Sequence, residues 1–245
     1  MRIDQKILVL LAVLALPLAA QGAGGEMEFD KAGNDVSNQA SLQRGARNFV
    51  NYCLGCHTAK YVRYNRIAAD LGITEEQLKS SLMFTADSPH DTIRNGMNPD
   101  DAKKWFGTLP PDLSLIARAR TPDYLYTFLR SFYVDPAKAN GTNNLALPGT
   151  AMPHVLWELQ GVQRPVYSTG ADGLTVVSGF VLSDADKARA KAYDEVARDI
   201  ANFMQYVGEP VAVQRQSIGV WVLLFLAFFT FIAWLLKHEF WRDVH

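Results

Sequence analysis

Cys53-Leu54-Gly55-Cys56-His57 contains both cysteines of this 245-residue chain, and the reading of these five residues decides what the rest must fold around. Cysteines three apart on one turn present two thiols to the same side, and the adjacent His57 points its imidazole that way too. This is the C-x-x-C-H pattern of covalent haem attachment, in which each thiol adds to one porphyrin vinyl group and the histidine takes an axial position on the iron. The other ring nitrogen of such a histidine is expected to donate to a backbone carbonyl, which fixes the tautomer.

Three other readings compete. Half of a zinc site needs a second half, and His90, His154, His238 and His245 do not have the spacing of one. A thioredoxin-like dithiol belongs at the end of a strand in a βαβ pattern, whereas here a helix precedes the pair and no alternating strands follow. A structural disulfide leaves the immediate His57 without a purpose. Haem c, one per chain and covalent, is therefore the expected cofactor, with a membrane-tethered thiol-disulfide oxidoreductase as the reading of another class.

Upstream, Leu42, Ala46, Phe49, Val50, Cys53 and His57 share one helical face, so the spacing predicts a single helix running straight into the cysteine pair. Downstream, Thr74-Glu75-Glu76-Gln77 has the form of a capping box that opens a short helix. Pro122-Asp123 starts another, which ends before Asp135-Pro136. Residues 140–150, rich in Gly, Asn and Pro, are expected to form an irregular loop. Val166-Tyr167 and Leu174-Thr175-Val176-Val177 flank Gly170-Ala171-Asp172-Gly173 as a small hairpin. Ser183 then caps a long helix to about Tyr206, broken by Gly208-Glu209-Pro210. The pattern is mainly α, with long loops.

The two ends differ in kind. Arg2 and Lys6 precede an apolar run of 14 residues, Ile7 to Ala20, and small residues follow; residues 1–22 read as a secretory signal peptide, too short an apolar run to span a bilayer. Residues 217–236 are uncharged and rich in Leu, Phe, Val and Trp, long enough as a helix to cross about 30 Å of hydrocarbon. Phe240 and Trp241, among Lys237, His238 and Arg242, suit an interfacial belt. The expected organisation is a periplasmic haem domain at 23–210, a transmembrane helix at 217–236 and a cytoplasmic tail at 237–245, which places the chain at a bacterial inner membrane. With 24 basic and 25 acidic residues there is no positive surplus for a phosphate backbone, so nucleic acid is not an expected partner.

The sixth position on the iron decides what a haem does. Met152, in Gly149-Thr150-Ala151-Met152-Pro153, sits in a flexible stretch closed by a proline; Met97, in Asn95-Gly96-Met97-Asn98-Pro99, has similar local chemistry. Met83 and Met204 follow helical patterns and read as core packing. Met152 is favoured over Met97, with His154 as a bis-histidine outsider.

Beyond the haem motif, Leu109-Pro110-Pro111-Asp112-Leu113-Ser114, then Ile116-Ala117-Arg118-Ala119-Arg120, Ala151-Met152-Pro153 and the single terminal membrane helix together resemble the cytochrome c1 family, the haem c subunits of ubiquinol:cytochrome c oxidoreductase (cytochrome bc1) complexes. The resemblance covers the chain from its first helix to its anchor. It implies a class I cytochrome c-like haem domain, Met152 as sixth ligand, Arg120 paired with a haem propionate, and Pro110 and Pro111 packed near the ring. Such a subunit accepts an electron from the Rieske iron-sulfur protein, sits beside cytochrome b, and passes the electron to a cytochrome c, with no independent catalysis expected of it; the alternative that keeps the haem is a free-standing membrane-anchored monohaem cytochrome c or the cytochrome subunit of another respiratory complex. Residues 153–161 and 100–107 depart from the mitochondrial form and point to a bacterial branch. Asp172, Asp184, Asp186, Asp194 and Glu195 are candidates for steering a carrier, but their mixture with Lys187, Arg189 and Lys191 reads as a solvated helix face.

Overall fold

Helix α1 (Gln39–Asn48) is opened by Asn38, whose side chain accepts from the Ser41 amide at 3.1 Å. It does not run unbroken into the cysteine pair. Phe49–Cys53 winds as a π turn, and the Leu54 amide donates to the Phe49 carbonyl. The extra residue per turn is invisible to hydrophobic spacing, because both Phe49 and Cys53 stay buried on either side of it. The structure is a computed structural model and describes residues 27–169, 173 and 175–243. The signal-peptide reading and the Gly170–Asp172 turn lie outside the described residues.

After the motif come β1 (Ala59–Arg63), α2 (Tyr64–Leu71), α3 (Glu75–Ser81), β2 (Thr92–Ile93) and α4 (Pro99–Phe106). The capping box is present at α3, with the Gln77 amide donating to Thr74 Oγ1 and the Thr74 amide to Gln77 Oε1. Helix α5 (Ile116–Arg120) meets α6 (Pro122–Arg130) at Thr121, where φ is 73° in a β-branched residue. Thr121 is held there by accepting the Tyr124 amide at 3.3 Å and by the proline that follows.

Strands β3 (Phe132–Val134) and β4 (Thr142–Asn144) pair antiparallel, Phe132 opposite Asn144. The stretch expected to be wholly irregular thus holds three residues of ladder. Past the short α7 (Trp157–Gln160), β5 (Arg164–Thr169) and β6 (Thr175–Val181) form the expected hairpin, most of it exposed on both faces. Helix α8 (Asp184–Gly208) is capped by Ser183, which accepts the Asp186 amide at 3.2 Å.

The core is built on α8. Helix α1 crosses it at Gly45, where an added Cβ would lie 2.2 Å from the Asp199 carbonyl oxygen and 2.6 Å from Phe203 Cβ. That closeness lets Phe49 meet Phe203 at 5.8 Å between ring centroids, and lets Arg44 donate to the nearly buried Asp199 at 2.6 and 3.0 Å. Ser41 adds a third bond to Asp199 at 2.6 Å. Helix α6 packs on α8 as well, with the buried Tyr193 hydroxyl donating to the Leu129 carbonyl at 2.8 Å.

Helix α9 (Ala212–Phe240) follows the break at Glu209-Pro210. Its mean hydropathy reaches 2.5 and none of that window is buried, so it is long and apolar enough to cross a membrane. It extends past both bounds read from the sequence, because Gln214, Arg215 and Gln216 before them and Lys237, His238 and Glu239 after them are polar yet helical: apolarity marks only part of the helix. Overall the described chain is mainly helical with three two-stranded ladders.

Candidate haem site

A cavity of about 600 Å³ opens between the π turn, the Leu109–Pro111 segment, α5 and α6, the segment 147–153, and α8. Cys53, Cys56, His57, Pro110, Pro111, Arg120 and Met152, read separately from distant parts of the sequence, all line it. Met97 and His154 do not. His154 instead stacks on Phe132 at 4.9 Å and 5°, lining a second cavity where burial pushes it down to about 4.

The turn that carries the motif is tight: the Cys56 and His57 amides both donate to the Cys53 carbonyl, at 3.0 and 2.8 Å. Asn95 donates its side-chain amide to the Cys56 carbonyl from outside. The Pro-Pro-Asp-Leu-Ser segment closes on it from the other side. Leu113 donates its amide to the Thr58 carbonyl at 2.7 Å, while Asp112 accepts from Thr58 Oγ1 at 2.5 Å and the Lys60 amide at 3.0 Å.

That clamp brings the Pro111 carbonyl to 2.8 Å from His57 Nδ1. Burial holds the imidazole below its ordinary value, against a smaller opposite pull from the Pro111 carbonyl and Asp112. A neutral ring facing a carbonyl must carry its proton on Nδ1, so Nε2 keeps a free lone pair. This is the tautomer an iron-ligating histidine needs. The carbonyl that the sequence reading called for is thus that of Pro111.

The thiols are not tuned for dithiol chemistry. Burial, with Cys56 close by, pushes Cys53 up to about 12, and burial raises Cys56 also. Reactive cysteine pairs depend on lowered values. The cavity walls are otherwise apolar, from Phe49, Leu125, Phe128, Ile200 and Met204, which suits a flat hydrophobic macrocycle.

Arg120 is exposed and its guanidinium lies 5.6 Å from the Tyr124 ring, with no carboxylate bound to it among the described residues. A cation at the rim of an apolar cavity fits the carboxylate edge of a porphyrin. Arg118, by contrast, turns away toward Glu209 at 3.8 Å. The acids weighed for steering are also engaged: Asp194 with Arg130, Glu195 with Arg44 and Asp186 with Arg189. Asp172 and the Asp184 side chain lie outside the described residues.

The residues present therefore fit a covalently attached haem, and the sequence as a whole agrees with them. A model of the Cytochrome C1 family matches residues 29–244. The chain belongs to the cytochrome c1 family. A cytochrome c1 of Allochromatium vinosum is 45% identical over 98% of this chain and 100% of its own length. A protein of Nitrosomonas europaea named ammonia monooxygenase gamma subunit is 43% identical over 97% of each chain. A cytochrome c1 of Rhodospirillum rubrum is 29% identical over 95% of this chain and 94% of its own. As a member of the cytochrome c1 family the chain is a membrane-anchored electron-transport protein with a class I cytochrome domain and one covalently bound haem c, and its apolar C-terminal helix fits that anchoring.

Sequence reasoning missed two kinds of site residue. Met204 was read as core, and it is core at 2% exposure, yet it also forms part of the cavity wall. Asn95 and Asp112 were quoted without a role, because what they hold lies far away in sequence.

Proposed function

We propose that this chain accepts one electron at a time from a Rieske iron-sulfur protein and delivers it to a cytochrome c, within a membrane complex that also contains cytochrome b. In this reading Cys53 and Cys56 form the thioethers, His57 and Met152 ligate the iron, Arg120 pairs with a propionate, and Pro110 and Pro111 pack near the ring. The bound haem supplies the reversible one-electron couple. The chain's own residues hold its shape around it: Pro111 fixes the His57 tautomer, the apolar walls exclude water, and Arg120 offers charge at the rim. Residues 23–210 face the periplasm after removal of 1–22, residues 217–236 cross the membrane, and 237–245 stay in the cytoplasm.

The observation that carries the reading is the convergence, on one cavity, of both thiols, a histidine whose Nδ1 faces the Pro111 carbonyl, and Met152. A second reading, a cytochrome subunit of a different oxidoreductase, is favoured by the name of the 43% identical Nitrosomonas relative.

The test is purification of the full chain from its own membranes in mild detergent, with reduced-minus-oxidised spectra and a haem and iron-sulfur inventory. The reading expects b-type haem and a Rieske cluster to accompany haem c, and ubiquinol to reduce it. Association with monooxygenase polypeptides would favour the second reading, haem c alone in an intact preparation a free-standing carrier. A colourless protein with two titratable thiols would overturn all of these.

A further inference from the structure

The segment that brings Met152 to the cavity, 145–153, contains no helix or strand, so its path has to be set by something other than a backbone ladder. Beside the Leu145 amide bond to the Ser131 carbonyl and the Thr150 amide bond to the Leu147 carbonyl, both at 3.1 Å, three asparagines fasten it. Asn144 is fully buried, and its side-chain oxygen accepts the Ala146 amide at 2.9 Å, the Leu147 amide at 3.1 Å and Ser131 Oγ at 3.1 Å. Its side-chain nitrogen donates to the Phe128 carbonyl at 2.8 Å, at the end of α6, which is itself a cavity wall. Every hydrogen-bonding capacity of that amide except one donor is thus used to fasten the segment's start to α6.

Asn143, also buried, accepts the Gly149 amide on its side-chain oxygen at 2.8 Å, and its nitrogen donates to Asp135 at 2.9 Å. Gly149 has φ 79°, the left-handed backbone that glycine adopts without strain, within the stretch Leu147–Met152 that lines the cavity. Asn140 closes the far end, donating to both the Ala151 and Met152 carbonyls at 3.3 Å. Asparagine suits each place because one short side chain carries both an acceptor for loop amides and a donor for a fixed carbonyl.

We propose that Asn143 and Asn144 are positioning residues for the sixth iron ligand, setting the path of the segment 145–153 so that the Met152 thioether is delivered to the metal. The inference rests on the reading of Met152 as that ligand. A free loop of this length would order on binding and leave the iron intermittently open; a loop fixed at Ala146, Leu147 and Gly149 has met that ordering cost during folding.

The test compares Asn143→Ala, Asn144→Ala and Met152→Leu in the haem-loaded full chain in detergent. The readouts are the red charge-transfer band of thioether-ligated ferric haem, the midpoint potential, and carbon monoxide binding to the ferrous form. Either asparagine variant is expected to weaken the band, lower the potential and raise carbon monoxide affinity by roughly tenfold or more, the factor that one lost buried hydrogen bond supplies. Should Asn144→Ala fail to accumulate with haem, Asn143→Ala alone decides. Loss of the band in Met152→Leu with all three readouts unchanged in the asparagine variants overturns this proposal and leaves the ligand reading intact. An unchanged band in Met152→Leu overturns the ligand reading, and this proposal with it.

Discussion

Replacing Gly45 by alanine tests the contact on which the domain is built. The new Cβ would stand 2.2 Å from the Asp199 carbonyl oxygen and 2.6 Å from Phe203 Cβ. Ordinary contact requires about 3.5 Å, so α1 and α8 must part locally by more than about 1 Å. Neither neighbour is the free end of a flexible side chain, so relief has to come from the helices. Overpacking of this kind costs about 1–3 kcal/mol. The same movement stretches the Arg44 and Ser41 bonds to Asp199 beyond hydrogen-bonding range, and Asp199 is nearly buried. Leaving such a carboxylate short of partners adds about 1–3 kcal/mol. Taking about 3 kcal/mol as the working figure, and roughly 2–4 °C per kcal/mol for a domain of this size, the midpoint should fall by about 6–12 °C. The assay is thermal unfolding of the haem-loaded chain by circular dichroism, with Gly96→Ala as reference, since nothing lies within 4 Å of a Cβ there. A Gly45→Ala midpoint within about 1 °C of the parent would refute the close-crossing argument.

Burial pushes Asp112 up, but bonds from Ser114, Thr58 and the Lys60 amide outweigh it and hold the carboxyl below its ordinary value. Its contribution is therefore present above the unfolded value, near about 3.9, and is lost as pH falls through the lower folded value; an acid-unfolding series should show a flatter dependence in Asp112→Asn than in the parent. Tyr193→Phe leaves the buried Leu129 carbonyl without its donor and should cost about 1–2 kcal/mol in chemical denaturation, an unchanged midpoint counting against the bond. Arg120→Gln removes an exposed cation at the cavity rim, which disfavours the added negative charge of the reduced haem; redox titration should show a lower midpoint potential with thermal stability unchanged, and an unaltered potential would place Arg120 away from the cofactor.

Features fixed by neighbours in sequence were legible. The capping box at Thr74, the Ser183 cap, the Pro122 start and the apolar anchor each depend on residues within a turn or two, and each sits where local chemistry puts it. The haem motif is local too, since its two thiols and its histidine share one turn. The π turn was not legible, because an added residue leaves both flanks of the face buried. Strand β4 was hidden for a related reason: Thr142, Asn143 and Asn144 read as loop formers, while their place in the ladder is set by Phe132–Val134, eight or more residues earlier. The second half of the site depends on tertiary closure. Nothing local says that Asp112 meets Thr58 and Lys60, yet that contact carries the Pro111 carbonyl to His57.

The same distinction between local and tertiary features bears on how the cavity is held relative to the membrane. Helix α5 ends in Arg120 at the cavity rim, and two residues earlier Arg118 reaches Glu209 at 3.8 Å. Glu209 accepts from Arg215, in the first turn of α9, at 2.5 and 3.3 Å. Behind this corner, a Cβ on Gly208 would lie 3.2 Å from Arg118 Cγ, so the end of α8 packs directly on α5. These ion pairs are exposed, and exposed pairs contribute little to stability. Their consequence is geometric: one carboxylate ties the helix that presents Arg120 to the start of the helix that is apolar enough to enter the bilayer. The rim of the cavity and the start of α9 therefore share a corner, joined through Glu209.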